Sequence, residues 1–222
     1  MAHPRIGLIV TGADTAQDFQ HFLKTLEQWH PNAELFVYTD DATDKLIKTA
    51  RLDDATDQLI KTARFKGIIH RRKALNAYTG LNRAQMEKTK GIRYANLWTD
   101  FMYEKAAVLE WMFEIQATEP AWFLDADISH LAPLPAIPST ATVALSPHAI
   151  RLQDEAKYGK YNGGFLWFKD ASLLPEWRKA GHTARFFEQS ALEEVATAAG
   201  ETLYEFPPQI NFGWWRMFQA PY

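Results

Sequence analysis

The sequence predicts an α/β protein with a mostly parallel central sheet flanked by helices. Three observations carry this. Two apolar runs, Arg5 to Val10 and Leu35 to Tyr38, bracket a stretch of helical periodicity, and the whole unit fits in about 35 residues, as a parallel βαβ unit requires. Ala121 to Leu124 is apolar on both faces, the signature of a strand in the middle of such a sheet. Each run ends in small or acidic polar residues, which lines these residues along one sheet edge. Ligands of open α/β sheets bind in the crevice outside the carboxyl ends of the strands.

The chain has 222 residues, 47% hydrophobic and 14% aromatic, enough for one substantial core and a single domain over 1–222. A net charge of −3 points to no class of partner. No amino-terminal signal-type segment and no apolar run near the ~20 residues of a bilayer span is present, so a soluble protein is expected. With no cysteine, disulfides, thiolate metal sites and a cysteine nucleophile are excluded, which fits a reducing compartment such as the cytoplasm. Four of the eight tryptophans, Trp167, Trp177, Trp214 and Trp215, crowd the last third; such rings suit sugar faces and bases but more often pack cores.

In order, Arg5 to Val10 is the first strand, Thr11-Gly12-Ala13-Asp14 a turn, and Thr15 to Trp29 a helix with Phe19, Phe22, Leu23 and Leu26 on one face. The second strand ends at Thr39-Asp40. Thr11, Gly12 and Asp40 could equally be turn or cap residues. Asp40 to Leu52 and Asp53 to Phe65 then agree at 11 of 13 positions, a duplicated helical insertion at about 40–65. Thirteen residues turn a helix by about 1300°, so one continuous helix would point the copies to nearly opposite sides. Two short helices broken near Leu52-Asp53-Asp54 are expected instead.

From Lys61 to Arg93 there are ten basic residues and one acid, Glu87, a local charge of +9. Such a block could steer an anionic ligand or lie on an acidic membrane surface, though most such side chains are simply solvated. No base-reading module accompanies it, so nucleic acid is not expected as a partner. A helix from about Trp98 to Ala117 follows, with Lys105 as part of its polar interruption. Next comes the central run, closing in Asp125-Ala126-Asp127. If the strand geometry continues, Asp125 and Asp127 point to one side, and two adjacent like charges invite a hard cation such as Mg²⁺ or Mn²⁺. Aspartates are also common in plain turns.

Thr142 to Leu145 is another strand, ending at Ser146-Pro147-His148, and the charged, aperiodic stretch Arg151 to Lys160 is expected as a mobile loop over the crevice. In Tyr161-Asn162-Gly163-Gly164-Phe165 the glycines allow close backbone approach and Asn162 offers donor and acceptor, although a β-bulge would also explain the glycines. A helix from about Thr183 to Ala199 carries Glu188 and Gln189. Phe206-Pro207-Pro208-Gln209-Ile210-Asn211 precedes the last tryptophans.

The run Trp122 to Pro135 resembles the Asp-x-Asp segment of GT-A glycosyltransferases, the nucleotide-sugar-dependent enzymes that include the relatives of glycogenin. The resemblance extends to Asn162-Gly163, Glu188-Gln189 and the Pro-x-x-Asn ending at Asn211, each short and specific only in joint order. It implies a GT-A, Rossmann-like sheet and transfer of a sugar from a nucleotide-diphosphate donor, UDP-linked by preference, to a carbohydrate or glycolipid acceptor. Asp125, Ala126 and Asp127 would serve the donor, with Mn²⁺ or Mg²⁺ on the two carboxylates. Thr11, Gly12 and Asp40 take the nucleotide positions, and Lys105 and His148 would approach the diphosphate. Asn162, Glu188 and Gln189 would face the donor sugar, with Gly163 lining it. Many relatives have a late histidine as third metal ligand; none follows His182 here, so His148, Asn211 or the diphosphate with water would complete the shell. A sugar-1-phosphate nucleotidyltransferase shares the α/β plan but lacks support from a Gly-rich, basic loop after the first strand. A non-catalytic carbohydrate-binding protein is the third alternative.

Overall fold

The computed structural model describes residues 3–49, 65–148 and 152–211. Among these, the strands β1 (Arg5–Val10), β2 (Glu34–Thr39), β3 (Ile68–Arg72), β4 (Ala121–Leu124), β5 (Val143–Pro147), β6 (Tyr161–Phe168) and β7 (Leu203–Glu205) form one sheet in the order β3-β2-β1-β4-β6-β5-β7. All of them run in one direction except β6, which is antiparallel to both of its neighbours. Thr11, Asp40, Asp125 and His148 therefore lie along one edge, and the start of β6 joins them there.

Both faces of the sheet are covered. Phe123, Leu166 and Phe168 belong to the apolar layer built with Val108, Met112 and Trp177; Trp122, Phe165 and Trp167 belong to the opposite layer with Phe19 and Phe22. The first helix, α1, spans Ala13–Leu26 and buries Ala16, Phe19, Phe22 and Leu26, the spacing of one helical face. α2 (Asp41–Thr49) carries most of the first copy of the duplication; the expected break near Leu52-Asp53-Asp54 and the second copy up to Arg64 lie outside the described residues. After α3 (Arg83–Lys88), the anticipated helix from Trp98 is two, α4 (Leu97–Met102) and α5 (Glu104–Ile115). The break falls at Tyr103, whose buried hydroxyl donates to the Trp177 carbonyl (3.1 Å). Arg5, buried at the start of β1, donates to the carbonyls of Met112, Gln116 and Glu119 and so satisfies the orphan end of α5.

Three further departures have local causes. Residues expected as a loop form α6 (Leu152–Tyr158), a helix that buries none of its residues, which is why no apolar period marks it. The helix expected from Thr183 divides, beyond α7 (Leu174–Ala180), into α8 (Phe187–Ser190) and α9 (Leu192–Ala199). β3 and β7 were not foreseen: β3 lies inside the basic block at the sheet edge, and β7 is three residues long. No helix among the described residues is long and apolar enough to cross a membrane.

The segment leaving the central aspartates is latched onto α1. The His130 amide donates to Thr25 (3.1 Å), the Trp29 indole donates to the His130 carbonyl (3.2 Å), and the Leu134 amide donates to His30 Nε2 (2.9 Å). The His130 ring lies edge-on to Phe22, and burial, assisted by the neighbouring His30 charge, pulls its pKa down to about 4. A histidine whose folded pKa lies below its unfolded value of about 6.5 binds fewer protons when folded, so it costs stability as the pH falls from about 6.5 to 4, on the order of 3 kcal/mol. Urea unfolding at pH 7 and 4.5 should show this loss. His130→Phe, which keeps a ring on Phe22, should flatten the difference; an unchanged pH slope would reject the assignment.

Candidate active site

The site is built on the turn that ends β4. The Ile128 amide donates to the Asp125 carbonyl (3.2 Å), so the chain turns at once and strand geometry does not carry the two aspartates to one side as expected. They are nevertheless close enough for the Asp127 charge to act on Asp125. Asp127 is exposed, Ala126 is buried, and 40% of the Asp125 side chain faces the crevice.

Behind Asp125 lies a buried charge cluster. Lys105, in the first turn of α5, places its ammonium 2.9 Å from Glu188 Oε1 and 3.4 Å from Asp125 Oδ1, and donates to the Gly163 carbonyl at 3.1 Å. Burial opposes its charge, but the two carboxylates outweigh that and hold its pKa above the usual lysine value. Asp125 is shifted upward: loss of water around it dominates, Lys105 opposes, and the charges of Asp127 and Glu188 add to the rise. Glu188 is buried, contrary to what a polar helical residue would suggest. Phe187, just before it, has φ +45°, a left-handed conformation that a bulky side chain adopts only when its surroundings impose it. The turn sends the Phe187 ring onto Trp98, beneath the Arg83 guanidinium, and Glu188 inward to Lys105. The Trp177 indole donates to the Glu188 carbonyl (2.8 Å) and fixes that turn.

The start of β6 forms the floor. Its pairing with β5 shifts between Leu145 and Ser146, so the β-bulge that would explain the two glycines is present. A Cβ on Gly164 would come within 2.3 Å of Asp125 Oδ2, and one on Gly163 within 2.6 Å of Glu188 Oε1. The absent side chains are what allow both carboxylates to approach. Asn162 Oδ1 accepts from the Gly164 amide (2.7 Å) and from Asn211 Nδ2 (3.1 Å), which ties the last described residue to the floor. Gln189 is oriented by the Gly163 amide (3.4 Å) and by donation to the Tyr158 carbonyl (3.1 Å).

On the far side, Asp40 is a helix cap. Its Oδ1 accepts from the Thr43 amide (2.9 Å), and its Oδ2 accepts from Thr43 (2.7 Å) and Thr11 (2.5 Å) hydroxyls. Burial would raise its pKa, yet these hydrogen bonds outweigh it and hold the carboxyl below its usual range. The Gly12 amide donates to Thr43 (2.8 Å). With its oxygens committed inside the chain, Asp40 positions Thr11 and Gly12 rather than offering a free carboxylate to a nucleotide.

A hard cation fits this arrangement in part. Asp125 and Asp127 supply two carboxylates at the crevice, enough for a Mg²⁺-type site completed by phosphate and water. His148, buried just past β5, does not complete it: among the described residues no three His, Cys, Asp or Glu side chains come together as a metal cluster. Part of the basic block is matched within the chain. Arg71 pairs with Asp44, Lys73 with Asp41 and Arg83 with Glu87, while Arg72 lies over the Trp111 ring (4.5 Å). Lys66, Lys88, Lys90 and Arg93 are exposed, and Lys61 and Arg64, like Trp214 and Trp215, lie outside the described residues. Gly164, Thr43 and Trp177 carry roles in the site that no motif announced; the doubled glycine was the one signal for the first.

No family model and no curated protein matches the sequence. The structure is similar to the glycosyltransferase GlyE of Streptococcus pneumoniae TIGR4, with TM-score 0.50 and 10% identity over 94% of this chain and 47% of that one. WbbM, described as a bifunctional glycosyltransferase, gives 0.52 and 7% over 94% of this chain and 39% of its own. An active-site mutant of LgtC gives 0.53 and 13% over 98% of this chain and 79% of its own. The chain thus spans less than half the length of GlyE and WbbM. Its fold is the GT-A glycosyltransferase fold.

Proposed function

We propose, from that fold and from the edge at which its charged groups meet, that the chain is a glycosyltransferase using a nucleotide-diphosphate sugar, with a carbohydrate or glycolipid as acceptor. The observation that carries the reading is the convergence, outside the strand ends, of Asp125 and Asp127 with the buried Lys105–Glu188 pair and a glycine floor. LgtC has been crystallised with donor and acceptor sugar analogues, which supports looking for the same classes here. Asp125 and Asp127 would hold Mn²⁺ or Mg²⁺. Such an ion supplies Lewis-acid stabilisation of charge on a departing nucleotide diphosphate.

The chain's own residues do the rest. Asn162, its carbonyl oxygen fixed by Gly164 and Asn211, presents its amide to sugar hydroxyls. Glu188 and Gln189, both buttressed from behind, would orient the donor sugar over Gly163. Lys105 offsets the carboxylates gathered beneath the donor. Thr11 and Gly12, held by Asp40 and Thr43, would border the nucleotide, with a UDP-linked donor as the first to test.

The test is nucleotide release from a panel of UDP-sugars and other nucleotide sugars, with Mn²⁺ or with EDTA. Release that requires the metal is expected. No release from any donor, together with no donor-dependent rise in melting temperature, would overturn the reading.

A further inference from the structure

Lys105 stands where a bound cation would compete with it. Its side chain is 8% exposed, and its three N–H groups meet three acceptors: Glu188, the Gly163 carbonyl and Asp125. The contacts are unequal, the Glu188 oxygen at 2.9 Å against 3.4 Å for Asp125, so Asp125 is the looser partner. The Asp125 carboxylate is also the one open to the crevice, and its other oxygen lies beside the Gly164 backbone rather than against a second cation. A divalent ion on Asp125 would sit close to a fixed, buried positive charge, and like charges repel.

We infer that Lys105 is a resident counter-cation for Asp125, that it weakens divalent binding at the Asp125–Asp127 pair, and that Glu188 relieves this by drawing the ammonium to itself. The inference rests on the cation reading of that pair given above. It makes the buried Glu188 a tuner of metal affinity from behind, a positioning role transmitted through its contact with Lys105. The consequence has a definite sign: removing the buried positive charge strengthens the site, and removing the buried negative charge behind it weakens it.

Mn²⁺ binding to the full chain, measured calorimetrically without nucleotide, tests this. Lys105→Met should bind Mn²⁺ about tenfold more tightly than the native chain, whereas Lys105→Arg, which keeps the charge, should stay within about twofold. Glu188→Gln should bind about threefold more weakly, because Lys105 then leans on Asp125 alone. Melting curves confirm that each variant is folded, and Glu188→Gln carries the sign by itself if Lys105→Met fails to fold. Mn²⁺ binding that ignores both substitutions, or moves with the opposite signs, overturns this inference and leaves the cation site standing. No Mn²⁺ binding by the native chain overturns both.

Discussion

Asp125→Asn should lower metal-dependent nucleotide release by about a thousandfold while leaving the melting temperature no lower than native. The first half follows from what the carboxylate would do: electrostatic stabilisation at a reacting centre is worth several kcal/mol, and each 1.36 kcal/mol is about tenfold in rate. The second half follows from what it does in the fold. Asp125 sits where its charge is disfavoured, with its pKa raised by loss of water and by Asp127 and Glu188. Lys105 keeps its shorter contact, to Glu188, when Asp125 loses its charge. Activity and stability therefore part company. A variant with native turnover, measured alongside its melting curve, would remove Asp125 from the site, and a variant that simply unfolds would mark it as structural.

Trp177→Ala should cost about 3–5 kcal/mol, the range for deleting a fully buried tryptophan, and lower the melting temperature by roughly 10 °C. The ring is wholly enclosed, stacked on Phe168 and tilted against Tyr103. Its backbone carbonyl receives the Tyr103 hydroxyl at the break between α4 and α5, and its indole fixes the Glu188 carbonyl. Trp177→Phe separates these roles. It retains most of the packing but leaves a buried carbonyl unpaired, at about 1–3 kcal/mol, and frees the strained turn at Phe187. Nucleotide release should then fall further than the loss of folded protein explains. Thermal melts and single-concentration assays on the two variants suffice, and equal activity per folded molecule would show that Glu188 needs no such tether.

The sheet was legible because it rests on local signals. Apolar runs capped by polar residues marked β1, β2 and β4, and burial on both faces of Trp122 and Phe123 left little choice of place. The edge that gathers Asp125, Asp40 and Thr11 follows from parallel strands alone. Less local features were hidden. The break at Tyr103 depends on a hydroxyl reaching Trp177, 74 positions later in the chain, and no helical period records that. Asp40 could be read as a ligand or a cap because both uses favour a strand-ending aspartate, and only the Thr11 and Thr43 contacts decide. Glu188 was nameable as a site residue through resemblance, but its burial was not: a left-handed phenylalanine turns it inward, against the ordinary preference of a charged helical side chain.

The reversed direction of β6 has one more consequence. Because that strand enters the sheet from the crevice side, Asn162 follows the end of α6 after only Gly159, Lys160 and Tyr161. The carboxyl end of α6 is pinned by Arg185, which donates to the Glu155 and Ala156 carbonyls, and Gln189 holds the carbonyl of Tyr158. At Gly159, φ is +96° and any Cβ would press within 2.7 Å of the Ser190 backbone, so this joint accepts glycine alone. The end of α6 and the start of β6 are thus joined by one short, fixed link, and a tilt of the helix would be passed straight to Asn162.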